Sequence, residues 1–288
     1  MKRWLLACIA LLAPVGGTRA DDAVVQTDQM RAQLSAEHRA TAPGESLWVA
    51  LSFDLKPGWH TYWRTPGDAG EPITIQWTLP AGISAGSIQW PTPERFSYSG
   101  IAGFGYTGHA TLLTELKIDP SVAAPAEILL KADVTWLSCA DVCVPEEGSF
   151  SLPIGIEAAA RGRNAEANTK IAAARKALPR AAPWPVKATR SGNILIVTAG
   201  PGVSERVLKS AVYFPYDGAL INNGAKQDVR LHDGMLELKV ELLPNAGKHR
   251  EAAGVLRLDR DNSPAPLGYS FAAPIVGTAP ASPPALQR

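Results

Sequence analysis

Alternation of apolar and polar residues in short runs constrains the fold of this chain more than any other feature. In residues 47–55 every second side chain is a large apolar one, and residues 73–79 repeat the pattern. Turn-forming residues, 25 glycines and 24 prolines among 288, separate such runs. Because the side chains of a β-strand alternate between two faces, this pattern predicts many short strands rather than a helical bundle.

The predicted strands form two groups, each typical of a small antiparallel β-sandwich. The first group lies in residues 21–156 and the second in residues 183–275. Besides the two runs above, the predicted strands are 111–118, 127–137, 149–154, 193–199, 211–214, 229–231, 235–243, 254–258 and 269–272. The sequence therefore predicts an all-β protein with two domains, followed by a disordered tail rich in Pro and Ala at 276–288.

A helix is predicted in the segment 157–182, which joins the two domains. Ala167, Ile171, Ala174 and Leu178 fall at helical spacing, and Pro179 ends the pattern. The charges of this segment are mostly basic, which favours a solvated linker helix over a surface for an acidic partner.

The first 20 residues have the pattern of a secretory signal. Lys2 and Arg3 precede the apolar run 4–15, and small residues lead to a predicted cleavage after Ala20. A bilayer span needs roughly 20 apolar residues, and no run in the chain is that long, so no direct membrane span is predicted. A bacterial-type export signal predicts the periplasm. The net charge of +1 argues against a nucleic-acid partner.

Cleavage would remove Cys8 and leave two cysteines, Cys139 and Cys143. Four residues of extended chain span about 13 Å. A disulfide needs Cα atoms within roughly 7 Å, so a bonded pair requires a turn between the cysteines. The predicted strands on either side favour a hairpin end, where other proteins could reach the pair.

Three interpretations of the cysteine pair remain open from the spacing. A disulfide over so short a loop stabilises by only about 2 kcal/mol, against more than about 4 kcal/mol for a long loop, which favours thiol–disulfide exchange over a structural bond. Spacing alone does not decide between these two. Binding of Cu(I) by two thiolates is the third, and nearby His or Met ligands are not evident in the sequence.

Three titratable side chains are candidates to act on the thiols. Asp141 and Glu146 would raise the pKa of a thiol by charge repulsion if they are close, or would cap the turn. His60 lies between aromatic residues, where a histidine is more often packed or hydrogen-bonded than reactive, and it is also a candidate to perturb a thiol. No metal site and no cofactor is predicted.

Three segments resemble the periplasmic N-terminal domain of the DsbD family of thiol:disulfide interchange proteins, and more closely its ScsB-like branch associated with copper-stress tolerance. They are 136–147 (Trp-Leu-Ser-Cys-Ala-Asp-Val-Cys-Val-Pro-Glu-Glu), 58–70 (Gly-Trp-His-Thr-Tyr-Trp-Arg-Thr-Pro-Gly-Asp-Ala-Gly) and 88–96 (Ile-Gln-Trp-Pro-Thr-Pro-Glu-Arg-Phe). The resemblance covers residues 40–155 well and the second domain more loosely. It implies immunoglobulin-like β-sandwiches.

The resemblance also implies a function for the pair. Cys139 and Cys143 would exchange electrons with periplasmic thioredoxin-fold proteins, and Cys143 would form the mixed disulfide. The family's aromatic cap over the disulfide would come from Phe96, Tyr98 or Phe104. We therefore expect a protein-disulfide reductase-like activity. The alternative is a non-catalytic binding module with a structural disulfide that docks a redox or copper-handling partner.

The chain departs from the family in two respects. Three residues separate its cysteines, whereas five separate those of the DsbD branch. The chain ends at Arg288 without a membrane domain, a C-terminal thioredoxin domain or a Cys-x-x-Cys motif. Electrons are therefore expected from a separate membrane donor.

Overall fold

The computed structural model describes residues 23–98, 100–158, 165–204, 208–261 and 263–278. Within these ranges it contains twenty β-strands and a single α-helix, which confirms the predicted all-β class. No helix of the described residues is long and apolar enough to cross a membrane. The predicted signal, residues 1–20, lies outside the described residues.

Twelve strands build the first domain as two facing sheets. They are β1 (Val24–Gln26), β2 (Met30–Ala36), β3 (Ala40–Thr41), β4 (Ser46–Leu55), β5 (His60–Gly67), β6 (Thr74–Thr78), β7 (Ile83–Ala85), β8 (Glu94–Tyr98), β9 (Ile101–Thr107), β10 (His109–Ile118), β11 (Ala126–Cys139) and β12 (Cys143–Ile156). One sheet has the order β1-β2-β4-β10-β7. The other has the order β3-β12-β11-β5-β9-β8, with β6 also paired to β11.

The core of the first domain lies between these sheets. The alternation in 47–55 is confirmed by β4, whose apolar face is at most 7 % exposed. Phe53 of this face packs edge-on against Trp136 of β11, with ring centroids 5.5 Å apart. Burial of this apolar surface is the main term that holds the two sheets together.

The joining helix α1 (Ala165–Ala177) lies on the outer face of β4 and β10. Its Ile171 and Ala174 are buried against Ala50 and Leu113. Arg175 forms a bidentate ion pair with Glu37 at 2.8–2.9 Å. The expectation of a solvated linker helix is therefore corrected. The outer face of this sheet also carries apolar residues, and α1 packs on them and shields them from water.

Eight strands build the second domain. They are β13 (Arg180–Ala181), β14 (Val186–Ser191), β15 (Ile194–Ala199), β16 (Leu208–Pro215), β17 (Asp228–His232), β18 (Met235–Glu241), β19 (Glu251–Arg260) and β20 (Ser263–Thr278). They form one curled sheet in the order β16-β19-β20-β14-β15-β18-β17, with β13 beside β20. Because β20 continues to Thr278, the predicted disordered tail overlaps it by three residues, 276–278, and residues 279–288 lie outside the described residues.

Both domains have the immunoglobulin-like sandwich architecture, and an aromatic cluster joins them. Trp63 and Phe104 of the first domain pack on Phe214 of the second, with ring centroids 6.1 and 4.9 Å apart. All three side chains are at most 1 % exposed. The interface therefore contains a true apolar core and fixes one domain against the other.

Candidate functional site

The cysteines lie at the tip of the long β11–β12 hairpin. Its register is unbroken from Ala126 opposite Ile156 to Cys139 opposite Cys143. The chain turns through residues 140–142, and the Cα atoms of the two cysteines are 4.1 Å apart in a disulfide. The predicted turn and hairpin end are thus confirmed, and β12 begins at Cys143, six residues earlier than the predicted strand 149–154.

The two sulfur-bearing residues differ in exposure. Cys139 is 1 % exposed and pairs across the sheet with His60 of β5. Cys143 is exposed, and the neighbouring Val142 is 64 % exposed. Cys143 is therefore the more accessible of the two cysteines.

Tyr62 on β5 contacts both sulfurs. Its hydroxyl donates a hydrogen bond to Cys139 Sγ at 3.3 Å and lies 3.8 Å from Cys143 Sγ. Burial raises the pKa of Tyr62, so the phenol stays protonated and remains a donor. The Tyr62 ring can occupy this position because residue 70 is a glycine: a Cβ on Gly70 would lie 2.4 Å from the ring.

The β8–β9 hairpin places two aromatic side chains, Phe96 and Tyr98, beside the disulfide, and we call this pair the aromatic cover. The Phe96 ring stacks on His60 with centroids 4.2 Å apart, and it lies against Gly103, where a Cβ would approach it to 2.0 Å. The Tyr98 hydroxyl donates to the backbone oxygen and to Oδ1 of Asp141 at 3.2 Å. Both side chains line a cavity of about 200 Å³ at the disulfide.

His60 is a titratable side chain that packs against Phe96 of the aromatic cover. Burial lowers its pKa, and the Glu94 carboxylate opposes part of this shift. At neutral pH His60 is therefore uncharged. It contributes ring contacts with Phe96 and Tyr62 rather than a positive charge beside the sulfurs.

Two candidate residues lie elsewhere. Phe104 is fully buried against Phe214 in the interface between the domains, so it is not part of the cover. Glu146 accepts a hydrogen bond from Trp136 Nε1 at 2.8 Å and another from the Ser138 hydroxyl. Its carboxylate thus links β12 to β11 by side-chain hydrogen bonds, and Glu146 does not line the cavity at the disulfide.

The residue that sequence reasoning missed is Tyr62. It stands in segment 58–70, where the three glycines and the aromatic residues after His60 were the available signal. Among the residues that the structure describes, no group of three or more His, Cys, Asp or Glu side chains is placed to hold a metal ion.

The comparisons with known proteins agree with this geometry. Residues 27–154 match the sequence model of the N-terminal region of thiol:disulfide interchange protein DsbD. These are 128 of the 288 residues, and over them the chain is similar to that family. This match and the Cys139–Cys143 disulfide together support thiol–disulfide exchange as the chemistry of this part of the chain. No curated protein matches the chain in sequence.

A solved structure shares this fold over a longer stretch of the chain. The N-terminal periplasmic domain of ScsB from Proteus mirabilis has a TM-score of 0.64 and 20 % identity, covering 88 % of this chain and 96 % of that one. The likeness includes both domains and shows the shared architecture. A yeast GGA1 GAE domain has a TM-score of 0.27 and 13 % identity, covering 45 % of this chain and 96 % of that one. This likeness is too weak to support a conclusion.

Proposed function

We propose that the protein is a periplasmic thiol–disulfide exchange protein that passes electrons between a separate redox donor and thioredoxin-fold partners through Cys139 and Cys143. The supporting observation is the asymmetry of the pair. Cys143 is exposed for attack, whereas Cys139 is buried beside the Tyr62 hydroxyl. A bond that served stability alone would not need this difference.

The asymmetry assigns a role to each sulfur. A partner thiolate attacks Cys143 Sγ, a new bond forms between these sulfurs, and the Cys139–Cys143 bond breaks. Cys139 leaves as a thiolate, and the Tyr62 hydroxyl stabilises the negative charge by donating to it. We assign Tyr62 to the leaving sulfur because its contact with Cys139 is the shorter one.

The second half of the exchange restores the balance. The partner's second thiolate attacks the partner sulfur in the mixed disulfide and releases Cys143 as a thiolate. The partner becomes a disulfide, this protein becomes a dithiol with two protons taken up, and two electrons move. The reverse direction uses the same steps, with the Cys143 thiolate as nucleophile.

Partner choice is supported by the surface beside Cys143. Three large apolar side chains are exposed there, namely Tyr98, Ile101 and Val142, at 41, 47 and 64 %. All three line the cavity at the disulfide. An apolar rim around a reactive disulfide suits the apolar surface that surrounds the active site of thioredoxin-fold proteins. The periplasmic location rests on the DsbD family and on the sequence pattern of residues 1–20.

A single-cysteine trapping experiment tests this function. A thioredoxin with one active-site cysteine, activated with thionitrobenzoate, is mixed with the Cys139→Ser variant. We expect rapid release of the coloured thiol and a stable mixed disulfide at Cys143, located by mass spectrometry. The matched Cys143→Ser variant should react slowly, because Cys139 is buried.

The binding-module alternative predicts a different result. If neither variant forms the mixed disulfide, and the wild-type disulfide stays intact with a reducing thioredoxin, the bond is structural. The proposed exchange would then be wrong. Docking of a redox or copper-handling partner to an intact disulfide would remain to explain the exposed apolar rim.

A further inference from the structure

The segment that leads into Phe96 runs along the surface of the second domain. The Pro93 carbonyl accepts a hydrogen bond from Arg257 Nη1 at 2.9 Å. One residue earlier, Thr92 fills the space over Gly268, where a Cβ would lie 2.0 Å from its hydroxyl oxygen. The path of the chain toward the disulfide is thus set by contacts with the other domain.

The strongest of these contacts is made by Arg95 on β8. Its guanidinium donates to the Asn223 carbonyl at 2.6 Å and to the Ala225 carbonyl at 3.0 Å. Both acceptors belong to a tight loop, residues 222–225, that is tied to β18 through Asn222 N and the Glu241 carbonyl at 2.8 Å. A cationic donor with two carbonyl acceptors makes a strong anchor.

The same loop also holds the other strand of the hairpin. Asn223 is 3 % exposed, and its amide donates to Asp68 Oδ1 at 3.0 Å. The second carboxylate oxygen of Asp68 accepts from Ala102 N of β9 at 3.3 Å, and Asp68 N donates to the Ala102 carbonyl. Loop 222–225 therefore fixes both β8 and β9.

Strand geometry connects this anchor to the disulfide. Neighbouring side chains of a strand point to opposite faces, so Arg95 faces the second domain and Phe96 faces His60 and the sulfurs. On the sulfur side, Tyr98 of the hairpin makes an exposed hydrogen bond to Asp141. The hydrogen bonds of Arg95 and Asp68 with loop 222–225 are partly buried, so water competes with them less.

We propose that the second domain, through loop 222–225, is a positioning element that holds Phe96 over the disulfide and so limits its reaction with indiscriminate thiols. Arg95 and Asn223 are the positioning residues. The use of this control in partner selection rests on the proposed exchange function, whereas the shielding itself is a property of the isolated protein.

Reduction of the wild-type disulfide by dithiothreitol, without any partner protein, tests the proposal. Arg95→Ala should raise the second-order rate constant by about fivefold, since loss of the anchor lets the cover leave the sulfurs more often. Arg64→Ala is the matched control. It removes a cation–aromatic contact with Tyr216 of the second domain, 4.4 Å long, without touching β8. We expect that control to stay within about twofold of wild type.

A double variant separates positioning from general loosening. Phe96→Ala alone should accelerate reduction at least as much as Arg95→Ala, and adding Arg95→Ala to it should change nothing further. Equal acceleration by Arg64→Ala, or a further acceleration in the Phe96→Ala background, would overturn the proposal. So would an unchanged rate in Arg95→Ala.

Asn223→Ala provides a second variant if Arg95→Ala does not fold. It removes the bond to Asp68 and leaves the loop carbonyls in place. An unchanged rate in a folded Asn223→Ala variant would also count against the proposal. Because no partner is present in this assay, these outcomes are independent of the trapping experiment above.

Discussion

Replacing Tyr62 by Phe removes the hydroxyl that contacts Cys139 and leaves the ring in place. The lost hydrogen bond is 3.3 Å long and donates to the sulfur that becomes a thiolate. Hydrogen bonds to charged groups contribute about 1.5–3 kcal/mol, and we take the lower value because sulfur is a weak acceptor. The pKa of the Cys139 thiol should therefore rise by about one unit, at 1.36 kcal/mol per unit.

The expected kinetic effect follows from this shift. A less stable leaving thiolate slows attack on Cys143, and the rate of reduction by dithiothreitol should fall about three- to tenfold. Stopped-flow fluorescence across a range of pH measures this rate. The pKa of the Cys139 thiol is read separately from alkylation rates in a Cys143→Ser background.

A matched substitution controls for loss of a buried hydroxyl. Tyr213→Phe in the second domain removes a hydroxyl that donates to the Ala253 carbonyl at 3.0 Å, far along the chain from the cysteines. It should lower stability without changing the reduction rate. If Tyr62→Phe reduces as fast as Tyr213→Phe, the role assigned to the Tyr62 hydroxyl is refuted.

Three further predictions concern stability. Gly70→Ala should lower the free energy of unfolding by about 2 kcal/mol or more, because its Cβ would collide with Tyr62, and it should also slow reduction of the disulfide. The control is Gly58→Ala, which has a similar positive φ but open space around it. It should lower the free energy of unfolding by only about 1 kcal/mol. Burial lowers the pKa of His60 below its unfolded value near 6.5, so stability should be complete above that pH and decline as the pH falls below it. Denaturant titrations at about pH 7.5 and 5.5 should show a smaller difference for His60→Gln than for wild type. Ile171→Ala should cost about 2–3 kcal/mol in thermal unfolding, and a loss under about 1 kcal/mol would contradict the packing of α1 on the sheet.

The sequence predicted strands where apolar and polar side chains alternate. Residues 47–55 alternate in this way and form β4, although Ala50 and Ser52 on the second face of this strand are also buried. Strand β5 was not predicted because its first four residues, 60–63, are all buried. This strand has the disulfide on one side and the second domain on the other, so the alternation on which the prediction depends is absent.

The site was predictable only in part. The spacing of Cys139 and Cys143 required a turn, and the flanking strands placed it at a hairpin end. Which aromatic residues cover the pair depends on long-range packing that spacing does not contain. Phe96 and Phe104 look equivalent in sequence, yet one faces the sulfurs and the other enters the interface between the domains.

The exposure of the two sulfurs and the contact with Tyr62 also arise from this packing. Cys139 is covered by β5, which is 77 residues away from it at Tyr62. No local pattern around the cysteines reports that neighbour. The contact between Arg95 and Asn223 was equally absent from local patterns, because these residues are 128 positions apart in the chain.

Electron transfer to the disulfide from a fully reduced thioredoxin tests the central claim most directly. Oxidised wild-type protein is mixed with reduced thioredoxin, the reaction is stopped with acid, and free thiols are alkylated and counted by mass spectrometry. The account predicts that Cys139 and Cys143 both become alkylated while thioredoxin acquires its disulfide in equal amount. Persistence of the Cys139–Cys143 bond, with thioredoxin still reduced, would contradict it.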